Sequence, residues 1–208
     1  MFRAVSTERF ARYLAATGHD PHAAMDLYYW NLRLSESFFP LLGTTEIAFR
    51  NAVSSHLLRV FGPNWWDSDD LHEVIGRKAK GMVLRARDKR LSEKGRVSHG
   101  CMTAQLTFGF WVRMVLPKYE TVLWTPLDAA FPDIPTSVTF SEFVDTCALT
   151  AALRNRIFHH EPIFERAITD DYATAMRLLA WLDPQMAAWM RPRLRTMQVL
   201  RERPRPRT

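Results

Sequence analysis

The stretch Thr139–Phe164, TFSEFVDTCALTAALRNRIFHHEPIF, decides how this 208-residue chain is read. Thr139 and Glu142 have the spacing of a capping box, in which two side chains satisfy the free N–H groups that open a helix. Phe143, Val144, Cys147, Leu149 and Leu153 follow as the apolar residues of that helix. Pro162 sets its limit, because the residue before a proline disfavours helical backbone. The helix ends in Arg154–Glu161, which holds two Arg, two His, an Asn and a Glu in eight residues. Acid–base and phosphate-binding groups are nowhere else so dense.

The rest of the chain punctuates in the same way. Ser6 to Ala16 reads as a short amphipathic helix with Phe10, Tyr13 and Leu14 on one side, stopped by Gly18. Asp20-Pro21 is an N-cap followed by proline at the first helical position. That helix runs to a break at Pro40 and Gly43, and a second begins near Thr44 and ends at Gly62-Pro63. Its apolar stripe is Phe49, Val53, Leu57 and Val60, and Glu46 and Arg50 fall on the stripe. Charges there must pair or be used. Asn51 lies off it. Residues 71–94 form a charged helix with weak points at Gly76 and Gly81. Thr103–Leu116 is apolar enough for a helix buried on several sides. Thr169–Leu182 and a short helix after Asp183-Pro184 complete the list. No alternating strand pattern, repeat or glycine-rich phosphate loop occurs. The expectation is an all-α domain over residues 1–190, of about six or seven helices.

Composition narrows the setting. No apolar run reaches the roughly 18–20 residues that span a bilayer, and Glu8, Arg9 and Arg12 interrupt the start where a signal peptide needs an apolar core. The expected location is cytoplasmic, with no membrane partner. Cys101 and Cys147 are the only cysteines, too few for a disulfide framework or a cysteine-based zinc site. The net charge of +6 lies wholly in residues 191–208, which hold seven Arg and one acid, Glu202. The pI therefore says nothing about the surface of the body. This basic Pro/Arg-rich tail reads as a disordered or loosely attached segment able to hold an acidic polymer nonspecifically.

On an ideal helix of about 100° per residue, Asn155 stacks below His159, and Arg156 below His160. Arg154 falls on the largely apolar side. It must find a carboxylate, a phosphate or a subunit boundary, and Glu46 is the evident partner. Three chemistries fit. Metal binding by His159, His160 and Glu161 is disfavoured, since adjacent histidines on a helix diverge. A structural use pairs Arg154 with Glu46 and leaves the histidines as caps of the helix C-terminus. The third is metal-free cleavage of RNA: a histidine moves the proton at the 2′-OH or the leaving oxygen, and an arginine stabilises the charge growing on the phosphate. It needs no cofactor.

Arg154-Asn155-x-x-x-His159 resembles the Arg-x(4–6)-His motif of the HEPN superfamily. The longer Leu-Arg-Asn-Arg-Ile-x-His-His-Glu-Pro-Ile-Phe resembles its Abi-like (abortive infection) family. Leu-Tyr-x-Trp-Asn at 27–31, Glu-Ile-Ala-x-Arg-Asn at 46–51, Gly-Pro-x-Trp-Trp at 62–66 and Leu-Thr-Phe-Gly-Phe-Trp at 106–111 are similar to that family's other blocks. The resemblance implies a HEPN-type bundle, a four-helix core with extra helices. It implies a homodimer whose motif helices share a cleft, and a metal-independent endoribonuclease leaving a 2′,3′-cyclic phosphate, used as a toxin or in phage defence. An antitoxin or regulatory protein is a partner that fits such a role. Arg154 and His159 match the catalytic pair, with Asn155 as polar neighbour. Glu46, Arg50 and Asn51 match polar positions of a facing helix. Arg156, His160 and Glu161 belong to the longer form, with roles open. Some HEPN domains are instead noncatalytic modules that bind RNA, a nucleotide or a protein.

Overall fold

The computed structural model of the chain describes residues 6–204. Among them the fold is all-α, with ten α-helices, short 3-10 turns and no strand. α1 is Thr7–Ala16, α2 Pro21–Phe61, α3 Asp69–Lys94, α4 His99–Gln105 and α5 Phe108–Met114. α6 is Glu120–Leu123, α7 Phe140–Phe158, α8 Ile168–Leu182, α9 Pro184–Met190 and α10 Thr196–Arg201. No helix among the described residues is long and apolar enough to cross a membrane.

Local chemistry sets the helix starts. The Asp20 carboxylate accepts from the His22 and Ala23 amides, with Pro21 at the first helical position. Thr139 Oγ1 accepts from the Glu142 amide at 3.2 Å, and Asp183 caps α9 through the Met186 amide. Each cap satisfies an N–H that the helix itself leaves free.

The expected break at Pro40 and Gly43 is absent. α2 continues through both as one 41-residue helix, about 60 Å long at the usual rise. Pro40 removes one N–H donor and crowds the carbonyls a turn earlier. The missing donor is the one that would serve the Glu36 carbonyl; one residue on, the Ser37 carbonyl accepts from the Thr196 hydroxyl at 3.0 Å. Leu34, Phe38, Leu41, Leu42 and Thr45 are all buried around this point, so packing on both sides of the proline offsets the lost bond and the helix continues.

Two other expectations shift. Gly76 does interrupt α3, at φ 72°, while Gly81 stays helical. The apolar run 103–116 divides into α4 and α5, with Leu106 and Thr107 extended between them. On one helix Leu106 and Phe108 would point about 200° apart; the break buries both. Val60, expected inward, is exposed, because α2 outruns the core near its end.

The buried apolar side chains form two clusters. One gathers Phe49, Val53 and Leu57 of α2 with Trp65, Trp111, Trp124, Phe131 and Phe143. The other gathers Leu27, Trp30, Leu34, Phe38 and Leu41 of α2 with Tyr13, Phe164 and Met176. α7 also serves both: Phe143, Cys147 and Ala151 enter the first, Leu153 and Ile157 the second. α2 and α7 therefore cross from one core to the other, and Glu46 and Arg154 sit on the seam.

The expectation of a loosely attached tail does not hold for residues 191–204. α10 packs on α2 with Thr196 and Val199 buried. The Val199 carbonyl accepts the Trp30 indole N–H at 2.7 Å, and Arg33 pairs with Glu202 at 2.7 Å. Composition marked these residues as solvent-loving. It could not show that a single Thr-Met-Gln-Val-Leu segment would cover Trp30. Residues 1–5 and 205–208 lie outside the described residues.

Candidate functional site

The focal stretch is a helix end, not a continuous helix. α7 stops at Phe158, and His159 caps it at φ −91°. His160 takes a left-handed φ of 56°. The His160 amide donates to the Ile157 carbonyl at 3.0 Å and the Glu161 amide to the Arg156 carbonyl at 2.8 Å. Those two bonds define a Schellman turn, whose left-handed position is usually glycine. An Arg156–Glu161 ion pair of 3.3 Å spans it, where an apolar contact more often does. The expected helical stacking of Arg156 with His160 is thus replaced by a pair between Arg156 and Glu161. Pro162 makes the stop necessary.

After the turn, Ile163 and Phe164 are buried, and both their amides donate to Asn31 Oδ1, at 2.9 and 3.1 Å. Asn31 is itself buried on α2. One side chain therefore ties the turn to the longest helix. Asn31 closes the quoted block 27–31, yet no local pattern announces this role.

Arg154 meets the partner its position demanded. Its Nε donates to Glu46 Oε2 at 3.0 Å, and the two side chains are only 23% and 21% exposed. Nη1 donates to Asn155 Oδ1 at 3.3 Å. The guanidinium lies 4.1 Å from the Phe158 ring centroid and 5.6 Å from that of Phe108. This fork is fixed by charge, hydrogen bonds and two aromatic faces, and Nη2 is committed to neither Glu46 nor Asn155. Arg50 lies one turn along α2 from Glu46, with a buried Nε that has no hydrogen-bond partner among the described residues. Asn51 is exposed and takes no part in the pair.

Neither histidine side chain is hydrogen-bonded to this group. Among the described residues His159 makes only main-chain hydrogen bonds, its carbonyl accepting from Arg9 at 3.4 Å. His160 and Glu161 line a cleft of about 320 Å³ between α1 and α2, together with Arg9, Ser35 and Glu36. So Glu46, Arg154 and Asn155 are brought together, and His160 and Glu161 form a second group. No hydrogen bond joins Arg154 to His159 within the chain.

Two buried polar clusters went unanticipated. Ser54 Oγ lies 2.5 Å from Thr103 Oγ1 and 3.4 Å from His99 Nε2. The Trp65 indole donates to His99 Nδ1 at 3.1 Å, so Nε2 carries the proton and cannot take one from Ser54. Burial holds the His99 imidazole below its ordinary pKa. His56 stacks on Trp124, donates from Nε2 to the Leu123 carbonyl and accepts from Arg59 at Nδ1. Burial, chiefly, keeps it neutral too. Both clusters fasten helices together. No group of three or more His, Cys, Asp or Glu among the described residues could hold a metal ion.

Compared with known proteins, the chain matches no family model, no curated protein and no solved structure.

Proposed function

We propose that this chain is a metal-independent endoribonuclease of HEPN type, with Arg154 and His159 as its catalytic pair in a site shared by two copies. The observation that carries the reading is the Arg154 guanidinium, oriented by Glu46 and Asn155 on a partly exposed face, within two helical turns of a turn that displays adjacent histidines. Preorganised positive charge of this kind is the largest contribution a protein can make to phosphodiester cleavage without a metal. In the reaction, an imidazole removes the proton from the 2′-OH and O2′ attacks phosphorus. Arg154 holds the nonbridging oxygens as charge grows on them. A protonated imidazole delivers a proton to O5′ as the P–O5′ bond breaks. The products are a 2′,3′-cyclic phosphate and a 5′-OH.

Arg154 and His159 diverge by about 140° along an ideal helix, and the Arg154 guanidinium is held by Glu46 rather than by His159. A two-fold arrangement resolves this, with one protomer's Arg154 serving its partner's His159. Leu32, Phe39 and Phe158 support such a face. They are exposed apolar side chains, and the Phe39 and Phe158 rings lie 5.0 Å apart beside the Arg154 fork.

The same Glu46 pair gives a second reading its footing, a noncatalytic HEPN module in which Arg154 is structural and the surface binds RNA, a nucleotide or a protein. Cleavage of mixed RNA in EDTA separates the two. The nuclease reading expects EDTA-resistant cleavage with cyclic-phosphate ends, reduced at least about 100-fold by His159→Ala. Equal amounts of Arg154→Ala and His159→Ala chains, mixed and re-equilibrated, are expected to recover part of the activity. Binding without cleavage by the wild-type chain overturns the nuclease reading in favour of the second.

A further inference from the structure

Of the seven arginines in the C-terminal segment, Arg191, Arg193, Arg195, Arg201 and Arg203 lie on described residues that belong to the fold. α10 seats the C-terminal arginines against the middle of α2, where a cleft of about 360 Å³ is lined by Arg33, Ser37, Pro40, Arg193, Arg195 and Glu36. Its carboxylates only partly offset it. Glu202 is taken by Arg33 at 2.7 Å and by Gln198 at 3.3 Å, leaving Glu36 as the lining acid. Arg191, Arg193, Arg195 and Arg201 are exposed and make no ion pair among the described residues. They have no carboxylate to give up before meeting a phosphate, and Arg193 commits only Nη1, to the Trp189 carbonyl.

An aromatic platform stands beside them. Trp189 is 57% exposed, unusual for a side chain of that size. Arg193 fixes it from one side: Nη1 donates to the Trp189 carbonyl at 2.6 Å, and the guanidinium lies 4.2 Å from the ring centroid. An exposed indole beside an arginine that reaches into a basic cleft is the pairing by which proteins hold single strands, with bases on the ring and phosphates on the cations. The cleft also leads somewhere. Glu36 lines both it and the cleft that holds His160 and Glu161. The two take alternate residues of the same stretch of α2, with Glu36 common to both and Pro40 lining the arginine cleft.

We propose that Trp189, Arg193 and Arg195, with Arg33, form a binding track for single-stranded RNA that leads across α2 to the His160 turn. The track deepens the nuclease reading, and rests on it for the choice of RNA as polymer. It assigns the basic segment a defined role: it captures the strand through backbone and stacking, without base-edge readout, and so is expected to be sequence-tolerant.

The test measures binding of a fluorescently labelled 2′-O-methyl oligouridylate of roughly 12 nucleotides to the full chain, by anisotropy over a range of salt. The probe lacks the 2′-OH and cannot be cleaved. Arg193→Ala/Arg195→Ala is expected to weaken binding about tenfold or more at low salt, and to flatten the log–log salt slope by about 1.4, the value for two phosphate contacts to a single strand. Trp189→Ala is expected to weaken binding several-fold with the slope unchanged. Arg195→Gln, which removes the charge without touching the Arg193–Trp189 contact, is expected to give about half the slope change. Arg85→Ala/Lys89→Ala on α3 serves as the control and is expected to bind like wild type. The track is overturned if the tail variants bind like wild type, or if the α3 variant loses as much. The two proposals fail separately. Wild-type chain that binds through these residues yet never cleaves RNA sinks the nuclease and keeps the track. RNA cleavage unchanged in the tail variants, with unchanged binding, does the reverse.

Discussion

His160 holds the left-handed position that closes α7, and an ordinary L side chain is strained there by roughly 1 kcal/mol relative to glycine. If local backbone were its only duty, glycine would serve better. His160→Gly is therefore expected to raise stability by about 0.5–1 kcal/mol, read as an increased urea midpoint. A loss of stability instead would mean that the imidazole contributes packing beyond what the cleft shows. His56 gives a residue-scale prediction of a different kind. Burial lowers its folded pKa, so the unfolded chain takes up a proton first as pH falls. Its contribution to stability is complete above the unfolded value of about 6.5 and declines as pH drops toward the folded one. Wild-type stability, compared by urea melts at about pH 7.5 and 5.5, should fall with acid. His56→Gln, which keeps an N–H for the Leu123 carbonyl and cannot titrate, should show a shallower fall. His99, lowered by burial as well, keeps some of the slope in that variant.

At the scale of elements, α2 carries most of the positional information. It supplies Glu46 to Arg154, Asn31 to the segment after the turn, and the Ser37 carbonyl to α10. Asn31→Ala would leave the Ile163 and Phe164 amides buried without an acceptor, at a cost of about 2–4 kcal/mol for the two. Because that tie fixes the exit from the histidine turn, any RNA cleavage should fall along with the melting temperature. Cleavage unchanged in a destabilised Asn31→Ala would show that the turn's position is not set by this bond. The capping residues Asp20, Thr139 and Asp183 were legible in the sequence because their chemistry is local. The course of α2 through Pro40 was not. A proline's cost is local, but the packing around Leu34, Phe38, Leu41 and Leu42 that offsets it comes from distant parts of the chain.

For the molecule as a whole, two apolar cores are bridged by α2 and α7, and the Glu46–Arg154 ion pair that joins those helices marks their junction. A polar pair at a seam costs less than one inside either core, because part of its hydration survives. The C-terminal segment closes the second core. Truncation after Met190 uncovers Trp30, leaves its indole N–H without the Val199 carbonyl, and removes buried Val199 and Thr196. A loss of about 2–4 kcal/mol is expected, measured by thermal or urea unfolding. A truncated chain as stable as wild type would mean that the tail only rests on the surface.

The sequence by itself determined the helical class, the principal caps, the inward face of α1 and most of that of α7 (Leu149 is exposed), and the polar density at residues 154–161. It also required a carboxylate, a phosphate or a subunit boundary for Arg154, and offered Glu46 as the evident partner. All of these follow from interactions within a few residues, or from the cost of burying charge. Only the tertiary structure decided that α2 is continuous, that residues 191–204 are part of the fold, and where the segment after the histidine turn is fastened. Each of these rests on partners far along the chain: the second core around Leu34 and Leu41, Val199 for Trp30, Asn31 for Ile163 and Phe164. Hydrophobic periodicity shows that a side chain is buried. It does not name the neighbour that buries it, and in this protein those neighbours place the candidate site.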